Sequence, residues 1–194
     1  RFYFWRKIMH KVILVTGGAR SGKSYFAEQL CKNIGEKVSY LATSEAFDDE
    51  MKARVAKHKE QRPSSWKTYE AFENLKDLVP DMSSSSDTVI LDCLTVMANN
   101  LIFHSDVDVE NATQAEIDSL EKRIQEELVS FILALKYNKL NLVMVTNELG
   151  MGIVPENKLS RIYRDIIGRI NQVAARYSDE VYFVVSGISQ KIKG

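Results

Sequence analysis

Short apolar runs separated by longer amphipathic stretches dominate this chain. Continuous apolar segments at residues 12–15, 38–42, 88–91, 140–145 and 181–185 predict five buried strands. Patterns of helical period follow the first strand and recur at about 49–61, 70–79, 94–103, 114–136 and 157–177. Strands that are apolar throughout and alternate with helices indicate a parallel sheet covered on both faces. We therefore predict an α/β three-layer sandwich with a mostly parallel sheet.

The connections and ends of the chain are less regular. Polar residues at Ser83–Ser86 and His104–Thr113 predict loops. With 194 residues and 45% apolar content, residues 11–194 suit a single domain. Residues 1–10, which read RFYFWRKIMH, are basic and aromatic, and we interpret them as a leader or extension outside the fold.

Composition excludes several classes of protein. Lys plus Arg and Asp plus Glu both number 26, so a zero net charge gives no sign of a nucleic-acid partner. No apolar run reaches the roughly 18 residues of a membrane span. The only cysteines, Cys31 and Cys93, lack metal-type spacing, which favours reduced thiols in a cytoplasmic protein.

The most specific motif is GGARSGKS, which follows the first predicted strand and precedes a helix. It fits the phosphate-binding pattern G-x-x-x-x-G-K-[ST] and comprises Gly17, Gly18, Ala19, Arg20, Ser21, Gly22, Lys23 and Ser24. In such a loop backbone N–H groups surround a triphosphate, the lysine reaches its β- and γ-phosphates, and the serine hydroxyl binds Mg²⁺. A glycine turn that fits the pattern by chance is the alternative. We predict a P-loop NTPase fold of the RecA-like type.

Asp92 ends the third predicted strand, in the segment TVILDC. Ligands of parallel α/β sheets gather at the carboxyl ends of strands, so this carboxylate can hold Mg²⁺ directly or through a water. An aspartate here could instead cap the next helix. Together with the phosphate loop, the metal role is favoured.

His58 lies one helical turn from Arg54, with Lys57, Lys59 and Arg62 nearby. Surrounding cations favour the neutral, nucleophilic imidazole and attract phosphate. On composition alone, however, a surface histidine on a solvated helix explains the segment at least as well. If any histidine performs covalent chemistry, His58 is the candidate.

The segment TNELGMGIVPEN follows the fourth predicted strand directly. Its glycines, proline and acids at a strand's carboxyl end suggest a shaped substrate loop. Glu148 stands where the Asn-Lys-x-Asp pattern of switch GTPases needs lysine, which disfavours a regulatory GTPase.

Taken in order, the segments ILVTGGARSGKS, YLATSEAFDDEM, RVAKHKEQRPSSW, VILDCLTVMANNL, VTNELGMGIVPEN and VVSGI resemble one family. It is the bifunctional adenosylcobinamide kinase / adenosylcobinamide-phosphate guanylyltransferase family of cobalamin biosynthesis (CobU/CobP). The resemblance covers about residues 11–193. It implies phosphorylation of adenosylcobinamide by ATP or GTP, then GMP transfer from GTP through a guanylyl-histidine to give adenosylcobinamide-GDP.

The resemblance also assigns residues, and for His58 it reverses the surface interpretation. The guanylylated histidine of the family corresponds to His58, and the phosphate loop would bind the triphosphate. Further nucleotide contacts would come from Thr43, Ser44, Lys59, Glu60, Gln61, Arg62, Glu70 and Asp92. Glu70 is explained equally well as an exposed acid at a helix start. Family members are similar in forming homotrimers.

Two other functions stay open at this point. A small-molecule kinase could use the phosphate loop while His58 is only structural. An NTP-dependent switch or assembly module is disfavoured by the absence of a guanine-reading segment and of a basic stripe. The sequence does not distinguish ATP from GTP as the phosphoryl donor.

Overall fold

One seven-stranded sheet forms the centre of the molecule. The computed structural model describes residues 10–45 and 63–194 of the chain. The strands run in the spatial order β3-β2-β4-β5-β1-β6-β7, and every neighbouring pair is parallel except β6–β7. The predicted, mostly parallel sheet is confirmed. Its strands are β1 (Val12–Gly17), β2 (Val38–Ala42), β3 (Lys67–Glu70), β4 (Thr88–Asp92), β5 (Asn141–Asn147), β6 (Glu180–Val185) and β7 (Ile188–Lys193).

Helices cover both faces of this sheet. Among the described residues they are α1 (Lys23–Ile34), α2 (Val79–Ser85), α3 (Leu94–Phe103), α4 (Gln114–Tyr137) and α5 (Lys158–Tyr177). In β1, Ile13 and Val15 belong to the core cluster with α1, whereas Val12 and Leu14 belong to the cluster with the other four helices. Alternate side chains of a strand point to opposite faces, so the two clusters lie on the two sides of the sheet. The three-layer prediction is confirmed.

Local signals at the helix ends agree with the predicted bounds. Thr113 and Glu116 form a reciprocal capping box at the start of α4, and α1 ends at Gly35. The predicted helices at 94–103, 114–136 and 157–177 are therefore confirmed. The one predicted at 49–61 lies outside the described residues. Over the ranges that the structure describes, no helix combines the length and apolarity needed to cross a membrane.

Two predictions for the described residues between β3 and β4 were wrong. Residues 70–79 are not one helix: β3 ends at Glu70, and a short 3₁₀ helix covers Leu75–Leu78. β3 is an exposed edge strand without an apolar run, so hydrophobic periodicity does not detect it. The segment Ser83–Ser86 was predicted as a loop, but α2 continues to Ser85. Three serine hydroxyls donate to carbonyls of the preceding turn, so these side chains are accommodated within the helix.

Candidate functional site

The phosphate-loop motif connects β1 to α1 at the carboxyl edge of the sheet. β1 ends at Gly17 and α1 begins at Lys23, with Gly22 as N-cap residue at φ +90°. Residues with a Cβ rarely adopt this backbone conformation, so glycine is required. No side chain caps α1, and its first turn holds no acid. The N–H groups at the positive end of α1 are thus available to an anion.

Lys23 is folded onto its own loop. Its Nζ donates a hydrogen bond to the Gly18 carbonyl at 3.0 Å, and the residue is only 9% exposed. Burial lowers the pKa of this ammonium, while the nearby Asp92 carboxylate acts in the opposite direction. A polyphosphate beside Nζ would stabilise the charged form and could take the place of the carbonyl.

The hydroxyl of Ser21 is an unsatisfied polar group inside the loop. Its Oγ is buried and has no hydrogen-bond partner among the described residues, as is also true of Oγ1 of Thr16 at the end of β1. Buried polar atoms are normally paired, and one without a protein partner points to a water or ion. Ser21 lies within the phosphate-loop motif, and Thr16 directly precedes it.

Asp92 ends β4, on the same edge of the sheet. Its Oδ2 accepts a hydrogen bond of 2.6 Å from the buried Tyr40 hydroxyl. The N-cap of α3 is Cys93, without a side-chain cap bond, so Asp92 does not cap this helix. Only β5 separates β4 from β1, which corresponds to about 10 Å between strand axes. The sheet thus places the carboxylate near the phosphate loop.

Thr43 connects the end of β2 to the end of β4. Its hydroxyl donates to the Cys93 carbonyl at 2.8 Å and accepts from the Cys93 N–H at 2.9 Å. Asn100 of α3 donates to the Thr43 carbonyl at 2.8 Å. These bonds fix the backbone that follows Asp92. They also engage the Thr43 hydroxyl within the protein, so a nucleotide contact would come from another atom of this segment.

The two cysteines are buried free thiols, as predicted. Burial, with a smaller contribution from Asp92, raises the pKa of Cys93 to about 12. Burial also raises the pKa of Cys31. Because the thiolate is the reactive form, neither residue is suited to act as a nucleophile near neutral pH.

The remaining predicted residues that the structure describes lie farther from β1 along the sheet. Glu70 pairs with Ala42 at the ends of β3 and β2, so Thr43, Ser44 and Glu70 form a second group on the carboxyl edge, here called the β2–β3 group. β3 is four strand positions from β1, or about 19 Å. Glu70 belongs to a strand, which removes its interpretation as a helix-start acid. His58, Lys59, Glu60, Gln61 and Arg62, which precede β3, lie outside the described residues.

A buried polar network behind the phosphate loop was missed by the sequence analysis. Thr95 of α3 accepts from the Asn147 N–H at 2.8 Å, and Asn171 of α5 accepts from Thr146 at 2.7 Å and donates to the Asn147 carbonyl at 3.0 Å. These hydrogen bonds fix the end of β5 beside Gly17. Asparagines at buried helix positions, Asn100 and Asn171, were the available signal, because a buried amide requires partners.

The predicted substrate loop, Thr146–Asn157, is shorter in the structure because Thr146 and Asn147 end β5. The remaining residues, 148–157, are fixed at both ends. The Glu148 N–H donates to the Gly17 carbonyl at 3.0 Å, and Arg161 of α5 donates to the Pro155 carbonyl at 3.1 Å. Between these points Met151, Ile153 and Val154 are 78%, 96% and 61% exposed. An ordered loop beside the phosphate loop therefore presents three apolar side chains to solvent.

Comparison with known proteins agrees with this arrangement. Residues 13–192 match the family described as cobinamide kinase / cobinamide phosphate guanyltransferase. The chain is similar to the bifunctional adenosylcobalamin biosynthesis protein CobU of Salmonella typhimurium, with 46% identity over 94% of this chain and 99% of that protein. The protein of the same name from Escherichia coli is 44% identical over the same shares. CobP of Pseudomonas aeruginosa is 34% identical over 93% of this chain and 96% of the relative. The chain therefore belongs to the cobinamide kinase / cobinamide phosphate guanyltransferase family.

Proposed function

We propose that this chain is a bifunctional transferase of cobalamin biosynthesis. It phosphorylates adenosylcobinamide with ATP or GTP, then transfers GMP from GTP to the product, giving adenosylcobinamide-GDP. The observation that carries this proposal is the uncapped N-terminus of α1 beside the buried Lys23 and Asp92, in a chain of this family. That arrangement suits the positioning and charge neutralisation that phosphoryl transfer requires.

In the first reaction the hydroxyl oxygen of the aminopropanol arm attacks the γ-phosphorus. The bond from this phosphorus to the β,γ-bridging oxygen breaks, the nucleoside diphosphate leaves, and the hydroxyl proton passes to solvent. The nucleotide is held by the loop N–H groups from Gly17 to Ser24, and Lys23 exchanges the Gly18 carbonyl for phosphate oxygens. Positioning and charge stabilisation are the protein's main contributions.

The site also suits Mg²⁺, held by Ser24 and Asp92. No group of three or more acidic, histidine or cysteine side chains that could hold a metal occurs in residues 10–45 and 63–194. A magnesium ion bound by few protein oxygens completes its shell with phosphate oxygens and water, as Mg²⁺ commonly does. Because Tyr40 donates to Oδ2 of Asp92, Oδ1 would be the oxygen left to bind the ion or its water. When bound, the ion neutralises charge on the phosphates.

In the second reaction His58 attacks the α-phosphorus of GTP and pyrophosphate leaves. A phosphate oxygen of adenosylcobinamide phosphate then attacks the same phosphorus, the nitrogen–phosphorus bond breaks, and His58 is regenerated. Dividing one displacement into two is the benefit of a covalent intermediate. The segment that holds His58 lies between β2 and β3 in the sequence, bordered by Glu45 and Pro63, so the β2–β3 group flanks it along the chain. Lys59, Glu60, Gln61 and Arg62 would bind the guanine nucleotide there.

The separation along the sheet affects how the two reactions are combined. About 19 Å separates the strands that carry the phosphate loop and Glu70. The nucleotide therefore moves between reactions, binds twice, or spans two subunits. We propose a homotrimer in which neighbouring subunits complete the sites, with residues 11–194 as the catalytic domain of a cytoplasmic enzyme and residues 1–10 as a leader or extension.

Product analysis tests the proposed function. The protein is incubated with adenosylcobinamide, Mg²⁺ and either ATP or GTP, and the corrinoids are identified by mass spectrometry. We expect adenosylcobinamide phosphate with either nucleotide, and adenosylcobinamide-GDP only when GTP is present. Phosphate product alone would identify a kinase without nucleotidyl transfer. NTP hydrolysis at a rate independent of the corrinoid would contradict the proposal and would favour the NTP-dependent switch instead.

We further propose that the exposed apolar side chains of the substrate loop contact the corrin ring of the acceptor. Through Glu148 and Gly17, the loop is bonded directly to the phosphate loop. A macrocycle held there can place its hydroxyl arm at the γ-phosphate. Covering a side chain such as Ile153, now 96% exposed, stabilises the complex by about 1.5–3 kcal/mol.

The substitution Ile153→Asp is expected to raise the KM for adenosylcobinamide about tenfold or more and to leave the KM for ATP unchanged, because it removes apolar contact with one substrate only. Initial rates over both substrate concentrations measure this. Leu133→Asp, an exposed position on α4, is the matched control and should change neither constant. An unchanged acceptor KM together with altered subunit assembly would instead assign the loop to a second copy of the chain.

A further inference from the structure

The turn between β6 and β7 contacts the phosphate loop directly. Its two residues, Ser186 and Gly187, have φ values of +51° and +81°, as in the two-residue hairpin turns with positive φ at both positions. The Gly187 N–H donates a hydrogen bond of 2.8 Å to the carbonyl of Ser21. The motif VVSGI, singled out in the sequence only for its family resemblance, thus forms a contact with the loop that binds phosphate.

Two close approaches place the hairpin firmly against this loop. A Cβ added to Gly17 would lie 2.4 Å from the carbonyl oxygen of Val184 in β6. A Cβ added to Gly22 would lie 3.3 Å from the Cα of Gly187. Backbone therefore packs against backbone on this side of the loop, and β6 is itself paired with β1.

The hydrogen bond from Gly187 sets the direction of a neighbouring N–H group. In a trans peptide the C=O and the following N–H point in opposite directions. When the Ser21 carbonyl points to Gly187, the Gly22 N–H points away from the hairpin. The same reasoning applies at Gly17, whose carbonyl accepts from the Glu148 N–H at 3.0 Å and so orients the N–H of Gly18.

We propose that Gly187 is a positioning residue of the nucleotide site: its N–H holds the Ser21 carbonyl outward, so that the Gly22 N–H faces the phosphates. This inference rests on the proposed function in assuming that the loop binds a triphosphate. Gly187 acts through Ser21 and Gly22 and touches no reacting atom. The hydrogen bond to Ser21 depends on the left-handed conformation of Gly187, because this conformation directs the Gly187 N–H to the phosphate loop.

The test compares substitutions that keep or lose this conformation. A Cβ at Gly187 would meet no atom within 4 Å, so the β-carbon that all substitutions share does not itself clash with the phosphate loop. Asparagine adopts positive φ far more readily than a β-branched residue. We expect Gly187→Val to weaken the binding of inorganic tripolyphosphate and of GTP about tenfold, the order expected when one well-oriented hydrogen bond is lost, and Gly187→Asn to weaken it about threefold or less.

Calorimetric titration of the whole protein with tripolyphosphate measures this effect, and steady-state rates add a second readout. Since ground-state binding is lost, the KM for the nucleotide should rise while kcat at saturation is kept. Asn74→Val is the control: Asn74 has φ +54° in the connection after β3, at the other end of the strand order, so it introduces similar strain far from the loop. It should lower Tm and leave the dissociation constant unchanged.

Two results would overturn the inference. One is a folded Gly187→Val protein that binds tripolyphosphate as tightly as the unsubstituted chain. The other is an equal loss of affinity in Asn74→Val, since the effect would then follow stability alone. Failure of the unsubstituted protein to bind any triphosphate would instead count against the proposed function, so the two failures are distinguishable.

Discussion

Replacing Lys23 by methionine is expected to lower kcat/KM about 10²–10³-fold in both the phosphorylation and the guanylyl transfer reactions. A loss of this size is typical when one group that stabilises developing charge is removed from an active site. Lys23 is the lysine of the phosphate-loop motif, and its Nζ donates to the Gly18 carbonyl of the same loop. Initial rates of each reaction, measured separately with GTP, give the two ratios.

Stability separates this effect from damage to the fold. Burial lowers the pKa of Lys23, which means that the folded state destabilises its charge. Methionine of similar length removes this cost, so Tm should stay the same or rise. Lys32→Met, on the exposed last turn of α1, is the matched control and should keep both activities. Full retention of either reaction by the Lys23 variant would show that the loop does not serve that reaction.

Replacing His58 by alanine is expected to abolish guanylyl transfer and to leave phosphorylation of adenosylcobinamide within a few-fold of the unsubstituted rate. Without the imidazole no phosphoramidate can form, whereas the first reaction uses the phosphate loop. The measurement is incubation with α-labelled GTP and Mg²⁺, followed by denaturation and mass analysis. The GMP adduct should be acid-labile and alkali-stable, and it should be absent from the variant.

His104 offers a control from the described part of the chain. Its Nε2 lies 2.8 Å from a carboxylate oxygen of Glu45, and its ring stacks on Phe72 with centroids 5.1 Å apart. It is therefore close to the β2–β3 group, yet already has contacts within the protein. His104→Gln should still form the adduct. An adduct that persists in His58→Ala and disappears in His104→Gln would move the nucleophile to His104, and equal loss of both reactions in His58→Ala would contradict separate roles.

The core of the fold could be predicted because its signals are local. Strands buried on both faces are mostly apolar, and the start of α4 is marked by the capping-box residues Thr113 and Glu116. The edge strands β3 and β7 were not predicted because neither contains a continuous apolar run. Lys67–Glu70 is largely exposed, and β7 is exposed along most of its length. Their stability comes from pairing with neighbours distant in sequence, which periodicity does not report.

Residues of the candidate site also differ in whether a local sequence pattern predicts them. Its phosphate loop is a contiguous motif, so the eight residues could be named from the sequence alone. Tyr40, Asn100 and Asn171 act across the fold, on Asp92, Thr43 and Asn147, and a contact between residues more than 20 positions apart has no linear pattern. The contribution of Gly187 is a backbone N–H, which every residue except proline possesses, so no residue type could have identified it.

The antiparallel strand β7 connects the last described residues to the hairpin turn that contacts the phosphate loop. Lys193 donates to the carbonyls of Ser178 and Ala175 at 2.7 and 2.8 Å, at the end of α5, and so anchors the strand that leads back to Gly187. A truncation within β7 would remove the strand that supports the hairpin turn beside the nucleotide site. Such a truncation should therefore not be used as a neutral change.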